Sequence, residues 1–315
     1  LAARHLATWA QRSQDEEFKA RLLRQSSFMP AVQAWFKQVL AQGTPEERKL
    51  VLEVSQGLLD FFASGNVAEV SEPLVELCLF RCEAFKYRLE YDRAKKELDR
   101  ALEFIKVNDR NRLVKAKVLG ERARLNLELE LPRLAAEDAA QAVEIWAKLA
   151  DIGAGASLLH LVEISRLRAE AQLALGQRSQ AISSLQKVAE RKVNPRTPEE
   201  RYAWMGLNLQ LAELLGEHSA STRQARLRFE DVLRYSQDLE ETPSVLEAKA
   251  KALRGLIDDK DHKRSAQYLE QARLIFERLT KEGRNDLRPA YGDVIYRLAF
   301  LMEKMGRLDE CLVYT

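Results

Sequence analysis

Glycine and proline are scarce in this chain, at 13 and 8 of 315 residues. That excludes a fold built on tight turns and favours long helices joined by short connections. No apolar run approaches the length of a membrane-spanning helix, and no signal peptide is visible. A surplus of one charge is also missing: 50 basic and 48 acidic residues leave a formal charge of +2. Nucleic-acid binders draw most of their affinity from a basic excess, so a nucleic-acid partner is not expected. Only three cysteines occur, Cys78, Cys82 and Cys311. An odd count argues against a disulfide framework and for a reducing, cytoplasmic setting. Cys78 and Cys82 share one helical face but lack a second Cys or His pair at ligand spacing, so they read as small core residues and no metal is expected.

Signs of catalysis are equally sparse. The four histidines, His5, His160, His218 and His262, are isolated from partners at acid–base or metal spacing. Asp258-Asp259-Lys260-Asp261 is an acidic turn without the glycine and terminal glutamate of a calcium loop. Gly153-Ala154-Gly155 lacks the Gly-Lys-Ser/Thr that would hold phosphate, and reads as a link between Asp151 and a helix starting near Ser157. No enzyme activity and no cofactor are expected.

What the chain does have is a period. Small residues at Ala94, Ala135, Ala181, Ala225, Ala266 and Cys311 open a similar pattern, with gaps of 41, 46, 44, 41 and 45 residues. Spacing of this kind marks stacked supersecondary units rather than one core. In the clearest unit Ala94, Leu98 and Ala101 stand at intervals of four and seven, one face of a helix, with Cys82 and Phe85 on the helix before. Ala135, Ala139 and Ala142 follow Ala123 in the same way. Ala181, Leu185 and Val188 follow Ala169, with Gly176 between as a helix-stopping residue. Ala225, Phe229 and Val232 match, and Ala299, Gly306 and Cys311 close the series. In the unit around Ala266, Arg254 occupies the place where a small residue is expected.

These residues resemble the tetratricopeptide repeat over roughly residues 70–315, in a long-helix variant, since the usual period is 34. The resemblance implies an all-α fold, a right-handed superhelical solenoid of antiparallel helix pairs. Helix starts agree. Thr44-Pro45-Glu46-Glu47 and Thr197-Pro198-Glu199-Glu200 each combine a threonine cap, a proline in the first turn and a glutamate closing a capping box; Thr242-Pro243 opens a third helix, and Gly283 and Pro289 bracket a later connection. About fourteen helices of 14–22 residues and no strands are expected. The alternating charges of Asp92-Arg93-Ala94-Lys95-Lys96-Glu97 read as a solvated helix face.

Residues 1–66 match the repeat weakly and read as helices over about 1–25, 29–42 and 45–64. Trp9, Phe18, Phe28, Trp35, Phe36, Phe61 and Phe62 gather there. They suit an N-terminal cap or divergent repeats, with self-association through this aromatic-rich region as the sharper alternative. Residues 67–315 form the repeat array. The chain opens at Leu1 within a helical pattern, and its last unit stops four residues past Cys311, so continuation beyond this fragment is expected.

The resemblance also implies a concave groove lined by the first helix of each pair. Its groove positions fall on Glu83, Lys86 and Tyr87 in the first clear unit, and on Lys117, Arg124 and Glu128 in the second. The third places Glu163, Arg166 and Glu170 there, and the last Tyr296, Phe300 and Lys304. No unit has the lysine–asparagine pair of members that clamp a chaperone's terminal carboxylate. The mixed lining suits a charged helix or loop of a protein or peptide partner. A protein-interaction scaffold or adaptor is the function expected. The alternative is a regulatory or sensor segment of a larger signalling protein, such as a STAND-type ATPase, a transcription regulator or a caspase-like protease.

Overall fold

In a computed structural model, the described residues are 28–63, 67–105, 112–153, 157–191, 195–216, 222–258, 260–307 and 309. Thirteen α-helices and one short 3-10 turn are found among them, and no strand. The chain divides into two units, Leu1–Ala154 and Gly155–Thr315. The division falls inside the glycine-bearing link recognised in the sequence.

The first unit contains α1 (Phe28–Gln42), α2 (Pro45–Ala63), α3 (Val67–Tyr87), α4 (Tyr91–Phe104), α5 (Arg112–Glu128) and α6 (Pro132–Asp151). Sequence neighbours pack together, and α3 also touches α1 and α5. The second contains α7 (Ser157–Ala174), α8 (Arg178–Ala189), α9 (Pro198–Gly216), α10 (Thr222–Ser236), α11 (Pro243–Gly255), α12 (His262–Lys281) and α13 (Arg288–Lys304). Here α7 touches α9, and α9 touches α11, beyond the packing of sequence neighbours. Packing that skips one helix is that of antiparallel pairs stacked side by side.

The spaced small residues explain the pairing. Ala94, Leu98 and Ala101 are fully buried on α4, and Cys82 and Phe85 of α3 are buried too. Alanine there lets two helix backbones approach, while Leu98 fills the remaining space; cutting it to alanine would cost about 2–5 kcal/mol. Ala135, Ala139 and Ala142 on α6 are completely buried, as are Ala181 and Leu185 on α8 and Val232 on α10. In α12 the register differs from the expected one. Ala266 is buried, yet the intervals of four and seven fall on Ser265, Leu269 and Ala272, all closed from solvent. The loop is pinned around Ser265. Asp258 N–H donates to its Oγ at 2.8 Å, and that Oγ donates to the Asp258 carbonyl at 2.9 Å.

One turn geometry recurs within pairs. After α3, Leu89 N–H donates to the Lys86 carbonyl at 2.9 Å, and Glu90 N–H to Phe85 at 3.0 Å. The same two bonds follow α5 at Glu130 and Leu131, and α7 at Gly176 and Gln177. They are the 5→2 and 6→1 bonds of a Schellman closure, which needs a left-handed residue. Gly176 supplies it at φ 72°, but Leu89 and Glu130 adopt it at 59° and 57°. The next helix starts at once, so three residues reverse the chain.

Both threonine capping boxes form: Thr44 N–H donates to Glu47 at 2.8 Å and Glu47 N–H to Thr44 Oγ1 at 3.3 Å, with the equivalent bonds at Thr197 and Glu200. Thr242 Oγ1 accepts from Val245 N–H, and Gly283 is left-handed at φ 101°. Two expectations need correction. α8 and α11 have 12 and 13 residues, below the expected range. α11 stops where Gly255 meets Phe229 of α10: a Cβ at 255 would stand 2.2 Å from that ring. Glu97 is not on a solvated face. It stands three residues after Ala94, beside the buried stripe, and pairs with Arg81 of α3 at 2.8 Å. Arg81 in turn donates to the Leu52 carbonyl at 2.8 Å and to Ser55 Oγ at 3.3 Å, so a buried charge pair joins three helices.

Phe36 is completely buried, edge-on to Phe80 of α3 at 5.5 Å between centroids, with Trp35 half-buried beside it. Trp9, Phe18 and the first expected helix lie outside the described residues, as do the side chains of Phe28, Phe61 and Phe62 and the anchor Cys311.

Candidate functional site

Within the first unit, α3 and α5 are the first helices of successive pairs, and their expected groove residues meet. Lys86 Nζ lies 3.2 Å from Glu128 Oε1. Burial opposes the charge on Lys86, but the hydrogen bond and negative charge of Glu128 outweigh it and hold its pKa above the usual lysine value. Tyr87 is half-exposed, with the Arg48 guanidinium of α2 4.1 Å from its ring centroid. Glu83 is exposed, Lys117 half-buried, and Arg124 pairs with Glu121 on its own helix at 2.9 Å. Below this face, Arg122 donates twice to Asp138 at 2.8 and 2.6 Å and once to Asp99 at 2.8 Å, while Asn126 donates to Asp138 at 3.1 Å. That network fixes α5 against α4 and α6.

The second unit holds the better-formed site. A cavity of about 310 Å³ opens across α7, α9 and α11. Arg166 lines it from α7; Tyr202, Met205, Gly206, Leu209, Gln210 and Glu213 from α9; Ser244, Glu247, Ala248 and Lys251 from α11. Arg166 extends over α9, where Gly206 leaves room: a Cβ there would lie 2.8 Å from Arg166 Nη1. Its Nε donates to Gln210 Oε1 at 3.3 Å. Glu247 accepts from Lys251 at 2.7 Å and from Arg284 at 2.8 Å. Burial raises the Glu247 pKa, but the two cations together outweigh it and hold the carboxyl below its ordinary range.

Of the remaining expected residues, Glu163 and Glu170 are exposed on α7, with Glu163 3.5 Å from His160 Nδ1. On α13, Tyr296 and Phe300 are exposed and Lys304 Nζ lies 4.6 Å from the Phe300 ring centroid. Arg254, out of place in the repeat pattern, reaches Asp293 of α13 at 3.6 Å.

The α9 and α11 residues were missed, though a signal existed. Glu163, Arg166 and Glu170 stand six and three before and one after Ala169. The same offsets from Ala212 give Gly206, Leu209 and Glu213, and from Ala250 give Ser244, Glu247 and Lys251. Both alanines are completely buried, and all six residues line the cavity. Among the described residues no cluster of three His, Cys, Asp or Glu side chains could hold a metal ion, and no helix is long and apolar enough to cross a membrane. Cys78 and Cys82 are buried free thiols, pushed up to about 12 chiefly by burial.

No family model matches the sequence, and no curated protein matches it. Solved structures do. PilF of Pseudomonas aeruginosa is 15% identical, covering 81% of this chain and 97% of its own, with a TM-score of 0.50. The C-terminal part of a TPR repeat-containing protein from Cytophaga hutchinsonii is 13% identical, covering 84% and 93%, with a TM-score of 0.52. At these identities the likeness concerns the fold: an all-α, tetratricopeptide-like helical repeat.

Proposed function

We propose that this chain is a non-catalytic protein-interaction scaffold, holding a segment of a protein partner against its first-helix faces. The cavity across α7, α9 and α11 carries this reading. The position three before the buried alanine converges there from three successive first helices, as Arg166, Leu209 and Glu247, and an apolar floor of Met205 and Leu209 sits among polar groups. That combination suits a peptide-like ligand: apolar contact supplies affinity, and placed polar groups supply orientation. The tetratricopeptide-like fold supports it, because stacked pairs create extended surfaces without a catalytic cleft. Lys86, Tyr87 and Glu128 would offer the equivalent face of the first unit. Residues 1–66 would act as a cap, as the complete burial of Phe36 suggests.

A photo-crosslinking amino acid placed at Leu209 tests the assignment. The control is the same residue at Leu227, exposed on α10, a second helix. The partner should be captured from position 209 and not from 227. Equal capture, or capture at 227 alone, would remove the groove assignment.

A further inference from the structure

Arg166 differs from the other charged groups around the second-unit face. Lys251 is committed to Glu247, Arg254 faces Asp293, and Arg297 also pairs with Asp293 at 3.0 Å. Arg166 has a hydrogen bond from Nε to a neutral amide, and among the described residues it pairs with no carboxylate. Its Nη1 end lies over Gly206, where an added Cβ would stand 2.8 Å away. The guanidinium is half-buried and already oriented, with its two Nη donors unspent on protein acids. A planar fork held this way matches a carboxylate, and little side-chain freedom remains to be lost when one binds. Beside it lie Tyr202, Met205 and Leu209, which offer an apolar surface to a neighbouring side chain.

We infer that Arg166 and Gly206 form a carboxylate subsite, and that the occupant is an acidic side chain next to an apolar one within a partner segment. The inference rests on the scaffold reading above. Charge complementarity selects the acid, since of the two cations lining the cavity Lys251 is paired and Arg166, among the described residues, is not. A side-chain carboxylate fits better than a chain end. One fork is available, which a single carboxylate fills, and a terminus with further acids beside it would bring more negative charge than the fork can pair.

The test uses the full chain and a random dodecapeptide library anchored through its C-terminus, so that no terminal carboxylate is free. Selected peptides should carry Asp or Glu beside an apolar residue and should crosslink to a photo-reactive residue at Leu209. Replacing that Glu by Gln in an amidated synthetic peptide should weaken binding about tenfold or more. The discrimination should vanish in Arg166→Ala. Gly206→Ala is the second variant. It keeps every polar group and favours the helix, yet displaces the guanidinium, so it should raise the melting temperature while weakening the acidic peptide.

Peptides that crosslink at 209 but ignore both the Glu-to-Gln change and Arg166→Ala would overturn the carboxylate subsite and leave the scaffold standing. Recovery of the Gln peptide's binding on freeing its C-terminus, in an Arg166-dependent way, would overturn the side-chain assignment in favour of a chain end. Failure to select any peptide that crosslinks at 209 would overturn the subsite and the groove reading together.

Discussion

Leu89 and Glu130 hold backbone torsions that cost an L-amino acid about 1–2 kcal/mol relative to glycine. Leu89 is 72% exposed, so its side chain gives little burial in return. Leu89→Gly should therefore raise stability by about 1 kcal/mol, less than the full strain because glycine is freer when unfolded. Glu130→Gly should act in the same direction. Chemical denaturation midpoints decide the matter; a fall in both would mean that these closures are not strained. Residue identity announced the turn at Gly176 but not at Leu89 or Glu130. Their left-handed torsions are imposed by pairing the flanking helices and leave no mark on the residue type. Glu97 was misread for a related reason: its charge suggested water, whereas the Arg81 partner that permits burial lies on another helix.

At the level of helices, two helical glycines, each followed by leucine, have opposite roles. Gly206 faces the far end of the Arg166 side chain, which can shift, but Gly255 faces the ring of Phe229. A methyl at 255 would gain at most about 1 kcal/mol of helix propensity, against about 1–3 kcal/mol for overpacking. Gly255→Ala should thus destabilise the second unit, and Phe229→Leu in the same chain should recover part of the loss. A double-mutant cycle by thermal unfolding would show this; additive effects would mean that the contact does not limit α11. Helix positions were legible from the caps at Thr44 and Thr197 and from spaced small residues such as Ala181. Register was not legible in α12, because Ser265 and Ala266 are adjacent, both small and both buried. The buried Leu269 and Ala272, four and seven residues on from Ser265, and the loop bonds of Ser265 distinguish them. The cavity was legible in part. Arg166 followed from Ala169, but uncertain register concealed the same offsets on α9 and α11.

Across the whole molecule, composition and period were enough for an all-α repeat, since scarce glycine and recurring alanine report backbone packing directly. The distribution of perturbed acids could not be read, because it depends on distant cations. In the second unit Glu247, Asp258, Glu277 and Asp286 all titrate below their ordinary range. Asp258 is held by the Lys260 N–H and then Arg226, Glu277 by Lys281, and Asp286 by Arg284. A carboxyl depressed in the folded state contributes stability that is complete above its unfolded pKa. That contribution is lost as pH falls through the folded value. Residues 155–315 should therefore lose protection from hydrogen exchange as pH drops below about 4. Glu247→Gln should make that loss shallower, and an unchanged acid profile would show that its ion pairs do not contribute.

The buried thiols of α3 have a consequence for labelling chemistry. A thiol titrating near 12 carries almost no thiolate at neutral pH, and neither sulfur is accessible. Alkylating reagents will meet Cys78 and Cys82 only when the helices around them part. The native chain thus carries two silent reporters of its own opening, placed without any engineering.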